Sequence, residues 1–183
     1  MSNVFDVAQY ILQKRGTMTT MKLQKLVYYG QAWALAWSGQ PLFENVIEAW
    51  DRGPVVRELW DVHRGLHQIN ALPAGDPETL DVDQRETIDA ILSRYGDLPP
   101  EMLSELTHAE SPWRDAHRQS NTTEISLSDL ESYYRQLGWD LLQDMTSDSP
   151  ADIFYLKLLL MQVTADNRHD AIGWGAPAGQ EIW

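Results

Sequence analysis

Cysteine is absent from the 183 residues of this chain. That removes disulfides, thiolate zinc sites and cysteine nucleophiles together. Long apolar runs are missing as well. None approaches the roughly 18 residues that a membrane-spanning helix needs, and the run around Leu158–Met161 is flanked by Lys157 and Gln162. The N-terminus shows no basic segment followed by an apolar stretch and a small-residue cleavage site, so the expected location is cytoplasmic. Basic residues are few, 14 Lys and Arg against 27 Asp and Glu, for a net charge of −13. The imbalance is regional. Residues 1–64 carry seven basic and six acidic side chains, and residues 65–183 carry seven and twenty-one. Such a surface repels phosphate backbones, because nucleic-acid affinity depends on Lys and Arg displacing counterions. Neither direct nucleic-acid binding nor membrane contact is expected. The acidic excess serves solubility, and it equally suits a face that steers a basic partner; both readings stand.

Catalytic signatures are missing too. There is no phosphate-binding Gly-x-x-x-x-Gly-Lys loop and no Gly-x-Ser-x-Gly elbow. Gly173, Gly175 and Gly179 do not sit between a strand and a helix, so they make no dinucleotide loop. His63 and His67 are four apart, which can place two ligands on one helix face, but Gly65 lies between them and no third ligand accompanies them. Asp81 and Asp83 belong to a solvated acidic run. No catalytic residue, metal site or cofactor is expected, and the chain reads as a non-enzyme.

What the chain does contain is helix pattern. The hydrophobic fraction of 43% is ordinary for a globular protein. Ser2 can cap a helix from about 3 to 15, with Val4, Val7, Ala8, Ile11 and Leu12 on one face and Gly16 as the stop. Thr19 or Thr20 can cap a second, from about 21 to 38, in which Leu23, Leu26, Val27, Gly30, Ala34 and Trp37 recur at three- and four-residue steps. Tyr28, Tyr29, Trp33 and Leu35 fill its other faces, as in a helix central to its domain. Gly30 in that interior predicts the close approach of a neighbouring backbone. Residues 40–50 read as extended or irregular. Asp51-Arg-Gly-Pro54 reads as a turn, with Pro54 opening a helix to about His63. Residues 71–83 read as a loop. Further helices are expected over about 83–95, 101–107, a segment starting near Trp113, 127–137 and 151–164. The fold class is therefore mainly α, a compact single helical domain with about eight helices, at most a minor β element and an extended C-terminal tail.

Several of these pieces resemble the Panacea domain, the family of SocA-like antitoxins and proteins often labelled phage-associated. They are Lys22-Leu-Gln-Lys-Leu26 with Tyr28, Tyr29 and Gln31, then Gly39-Gln-Pro-Leu-Phe43, Ile47-Glu-Ala-Trp50 and Gly53-Pro-Val-Val56. A second block follows: Thr107-His108, Ser111-Pro-Trp113, Ile125 and Tyr133-Tyr134. They occur in family order over residues 3–137, with 138–166 as a helical extension of the same domain and 167–183 as a tail. The resemblance implies an antitoxin that neutralises a cognate protein toxin, the product of the adjacent gene, by direct binding and active-site occlusion. Its alternative is an adaptor that presents the toxin to an ATP-dependent protease. Asp51 and Arg52, a charged pair on a loop, are candidate partner contacts, as are His108 and Trp113 in the second block.

The tail Ile172-Gly-Trp-Gly-Ala-Pro-Ala-Gly-Gln-Glu-Ile-Trp183 resembles the Trp-Gly-x-Pro-x-Gly-x-Glu-x-Trp ending of smaller antitoxins whose C-terminal segments wrap over their toxins. That resemblance makes Trp174, Pro177, Glu181 and Trp183 candidate contacts, the tryptophans as anchors in partner pockets. The competing expectation is that Trp174 and Trp183 fold back onto their own domain.

Overall fold

The computed structural model describes residues 2–119 and 123–137. The helix expected at 151–164 and the tail lie outside the described residues. The elements run α1 (Val4–Arg15), β1 (Met18–Thr19), α2 (Thr20–Ser38), β2 (Ile47–Trp50), β3 (Gly53–Val56), α3 (Arg57–His63) and β4 (Gln68–Ile69). A 3-10 turn (Pro77–Thr79) precedes α4 (Val82–Tyr95), α5 (Pro100–Ala109), α6 (Ser111–His117) and α7 (Leu127–Leu137). The mainly helical class expected from the sequence is what the chain adopts.

α2 is the hub, packing against α1, α4, α5, α7 and the β2–β3 hairpin. Leu23, Leu26, Val27, Tyr28, Tyr29 and Ala32 are fully buried, and Trp33 is 3% exposed. Thr19 caps the helix through the Lys22 amide, and Gly39 in the left-handed region ends it. α1 is capped by Asn3, not by Ser2. The Asn3 side chain accepts from the Asp6 amide, while Asp6 accepts from the Asn3 amide, a reciprocal capping box. Ser2 instead donates its hydroxyl to the Leu42 carbonyl at 2.8 Å. At Gly30 the near neighbour is a side chain rather than a backbone: an added Cβ would lie 3.3 Å from Leu42 Cδ1.

Pro54, Val55 and Val56, which read as the start of a helix, lie instead in a strand with Gly53. β3 pairs antiparallel with β2, from Ile47↔Val56 to Trp50↔Gly53. Two forces override the helix signal of Pro54. Val55 and Val56 are β-branched and pack into the pleated, fully buried surface. Among the described residues no non-glycine residue has a positive φ, and the left-handed step that turns the hairpin falls on Gly53 at φ 103°. α3 consequently starts at Arg57. The other edge of β2 is extended by residues 123–125, with the Ala49 amide donating to the Thr123 carbonyl and the Ile125 amide to the Ile47 carbonyl.

Among the described residues no strand lies against the outer edge of β3; α2 covers it. Gln24 accepts from the Val56 amide at 2.9 Å and donates to the Val56 carbonyl at 3.3 Å. Lys25 donates to the Pro54 carbonyl at 3.2 Å, and Pro54 has no amide hydrogen to satisfy. One turn and a half along the same helix, Gln31 accepts from the Leu42 and Phe43 amides and donates to the Phe43 carbonyl. Gln24, Lys25 and Gln31 are each fully buried. They serve as polar adaptors between a regular helix and the irregular backbone packed on it, since buried amides and carbonyls must be paired.

A second buried polar cluster ties the helices to one another. Glu110 lies between α5 and α6. Its carboxylate oxygens accept from Tyr29 at 3.1 Å, Tyr134 at 2.6 Å and Tyr28 at 3.5 Å. Tyr29 also stacks on Tyr95 at 4.1 Å, and the Trp33 indole donates to the Tyr95 hydroxyl at 3.2 Å. One carboxyl thus joins α2 and α7, and the aromatic layer around it carries the connection to α4. Burial pushes the Glu110 carboxyl up to about 8, against the lowering effect of the three phenol donors.

Candidate functional site

The hairpin turn, Asp51-Arg52 between β2 and β3, is where candidate residues from distant parts of the sequence meet. Its backbone is held from three sides. The Trp113 indole of α6 donates to the Trp50 carbonyl at 3.0 Å. The Ser104 hydroxyl of α5 donates to the Arg52 carbonyl at 2.8 Å. Lys25 of α2 holds the Pro54 carbonyl. Alternate carbonyls are therefore each bound by a different helix. Beneath the turn there is no room: a Cβ added at Gly53 would sit 2.7 Å from Lys25 Cε and 2.9 Å from Thr107 Oγ1.

The tip faces outward from this clamp. Asp51 is exposed, and its carboxylate lies 3.0 Å from His117 Nε2. Arg52 is half-buried. His108 and His117 sandwich the Trp113 ring, with centroid separations of 4.0 and 4.6 Å. Asp51, Arg52, His108 and Trp113 thus come together in one corner. Their parts differ, though. Asp51 presents its carboxylate to solvent, whereas Trp113 has no exposed surface and acts on the corner by fixing the turn. Trp174, Pro177, Glu181 and Trp183 lie outside the described residues.

Beside the tip is a cleft of about 510 Å³, lined by Glu48, Trp50, Arg57, Trp60, Asp61 and Arg64 together with Asp51 and His117. Trp50 and Trp60 meet edge to face at 5.1 Å. Each carries a guanidinium over its ring, Arg57 5.1 Å from Trp50 and Arg64 4.9 Å from Trp60. Glu48 organises this wall. It accepts from the Trp50 indole at 2.6 Å and from Arg57 through two bonds of 3.0 and 3.1 Å. Burial raises its carboxyl, but the bonds from Arg57 and Trp50 outweigh that and leave it below its ordinary value. It is an ionised brace, not a proton donor. Exposed Val62 and Leu66 lie on and just beyond α3.

The cleft thus presents guanidiniums and carboxylates over a buried tryptophan pair. His63, singled out for its spacing to His67, is buried against Gln24 at 2.9 Å, and burial lowers it to about 4. His67 is exposed. Among the described residues no three His, Asp or Glu are grouped to hold a metal, and no helix is long and apolar enough to cross a membrane.

A family model described as antitoxin SocA-like, Panacea domain, matches residues 23–114. The chain belongs to this family. Membership of an antitoxin family gives it a general antitoxin role. The matched span opens in α2 and closes in α6, and so contains Lys25, Ser104 and Trp113, all three arms of the clamp, as well as the turn they hold. His117 and Tyr134, which complete the corner and the tyrosine cluster, fall beyond it. No curated protein and no solved structure matches the chain. Reasoning from sequence passed over Lys25, Glu48, Arg57, Trp60, Arg64, Ser104 and His117 as parts of this Panacea domain's corner. A signal existed for Lys25 alone, a cation on the buried side of an otherwise apolar helix.

Proposed function

We propose that this Panacea domain neutralises a cognate protein toxin, the product of the adjacent gene, by binding it directly and covering its active site. The observation that carries this reading is the antitoxin-family match over the very residues that build the clamped turn. The Asp51–Arg52 tip and the Trp50–Trp60 cleft supply the contact surface on the described part of the molecule. The acidic excess of residues 65–183 suits a toxin with a basic groove, whereas the tip and cleft are balanced, Glu48, Asp51 and Asp61 against Arg52, Arg57 and Arg64. A stable interface needs to bury about 1,000 Å² or more in total, which the tip and cleft supply only in part. Residues 170–183, with Trp174 and Trp183 as anchors and Pro177 and Glu181 between them, contribute the remainder.

The test is growth rescue when this protein and the adjacent gene product are expressed together, with toxin abundance followed in the same cells. Occlusion predicts rescue at unchanged toxin level. Rescue accompanied by rapid loss of toxin would instead identify an adaptor for an ATP-dependent protease. Deleting residues 170–183 is expected to leave thermal melting of the domain unchanged and to weaken rescue; a deletion that protects fully would remove the tail from the interface.

A further inference from the structure

We infer that Lys25, fully buried and distant in sequence from every candidate contact, is the positioning residue that presents the Asp51–Arg52 tip to the partner. The inference rests on the proposed reading of the corner as a toxin-binding surface. Interior lysines are rare unless paired, and this one is 0% exposed. Packing does not require a cation here, because methionine would fill the same volume. What the amino group adds is a bond to the Pro54 carbonyl at 3.2 Å. The bond falls directly after the left-handed residue, Gly53, whose Cα side is already closed by Lys25 and Thr107.

The turn is constrained from outside the hairpin, by α6, α5 and α2. Its two central residues form no rung between the strands, since Trp50 and Gly53 are the last pair. Its three carbonyl anchors come from α6, α5 and α2, and removing one frees the chain on the α2 side while the other two persist. A partner that recognises the tip side chains needs them in one arrangement. An unclamped turn would have to be ordered on binding, at an entropic cost that lowers affinity without altering any contact atom. Lys25 thus acts on the partner only through residues 51 and 52.

The experiment uses the full chain, the adjacent gene product as probe, and Lys25→Met, with Ser104→Ala as a second variant that removes a different anchor from a half-buried position. Two readouts are taken: amide exchange at residues 51–53 in the free protein and affinity for the probe. Folded Lys25→Met should exchange faster at those amides and bind roughly tenfold more weakly. In a background already carrying Asp51→Ala and Arg52→Ala it should weaken binding no further, because the tip it positions is gone. If Lys25→Met does not fold, Ser104→Ala must show the same pattern. Unchanged exchange, unchanged affinity or an undiminished effect in the tip-deleted background overturns the inference. A wild-type chain that binds no probe would sink the proposed function instead, while the exchange measurement still decides whether Lys25 holds the turn.

Discussion

Replacing Glu110 with alanine should lower stability by about 3 kcal/mol or more, because three buried phenol hydroxyls lose their acceptor in one step and each orphaned group costs about 1–3 kcal/mol. Tyr28 and Tyr134 are fully buried and have no water to turn to. The loss should appear in urea or thermal unfolding, with α7 released first, since Tyr134 is its deepest anchor on α2. The same carboxyl gives the protein a pH dependence. Its folded value, about 8, lies above the ordinary carboxyl range of an unfolded chain. Between roughly pH 4.5 and 8 the folded state keeps the Glu110 proton that the unfolded state has lost, so this carboxyl's contribution falls as pH rises through that window. The stabilisation is complete below it and gone above it. His63, lowered by burial to about 4, works in the opposite sense and adds stability as pH rises to its ordinary 6.5, so the net fall is expected above pH 6.5. Glu110→Gln, which preserves an acceptor oxygen and carries no charge, should flatten this slope and exceed the wild type in stability near pH 8. A wild-type unfolding free energy that rises or stays level from pH 6.5 to 8, where His63 no longer contributes, would show that the carboxyl is ionised throughout and held by its three tyrosines.

Trp33→Ala should cost about 3–5 kcal/mol, the usual loss when a core aromatic site is emptied. The ring contacts Trp37 at 5.3 Å and Tyr134 at 5.0 Å, and its indole N–H is bonded to Tyr95, so truncation removes packing and a part-buried hydrogen bond between α2 and α4 together. Trp33→Phe should recover most of the packing but leave the Tyr95 hydroxyl without its donor, for a loss nearer 1 kcal/mol. Thermal melting separates the two. Equal midpoints for the wild type and the alanine variant would place Trp33 outside the cooperative core.

The helices were legible because their signals are local. Thr19, Gly16 and Gly39 punctuate α1 and α2, and the apolar residues of α2 repeat at the helical period on nearly every face. The β2–β3 hairpin was not legible, because its decisive interactions are not local. Pro54 suits the first turn of a helix in isolation, and only pairing with residues 47–50 and the covering Gln24 and Lys25 make it a strand. The corner was half legible. Asp51 and Arg52 stand out as a charged pair on a turn, and the residues that hold them do not. Ser104 and His117 look like ordinary surface positions on their helices until the fold brings α5 and α6 over the hairpin. Lys25 and Gln24 broke the apolar pattern of α2, and a buried polar residue in such a pattern signals backbone that needs a partner. Glu110 carried no comparable sign, since a carboxylate just before Ser111-Pro112 suits an exposed helix start equally well.

The proposed function has this family member hold a protein rather than transform a small molecule. Titrating the purified toxin with this protein while following the toxin's activity tests that claim most directly. Direct neutralisation predicts inhibition that is linear in added protein and complete at a fixed whole-number ratio, with a co-eluting complex of nanomolar or tighter affinity, on the order of −12 kcal/mol. Full protection by a small substoichiometric amount, with no complex formed, would contradict it.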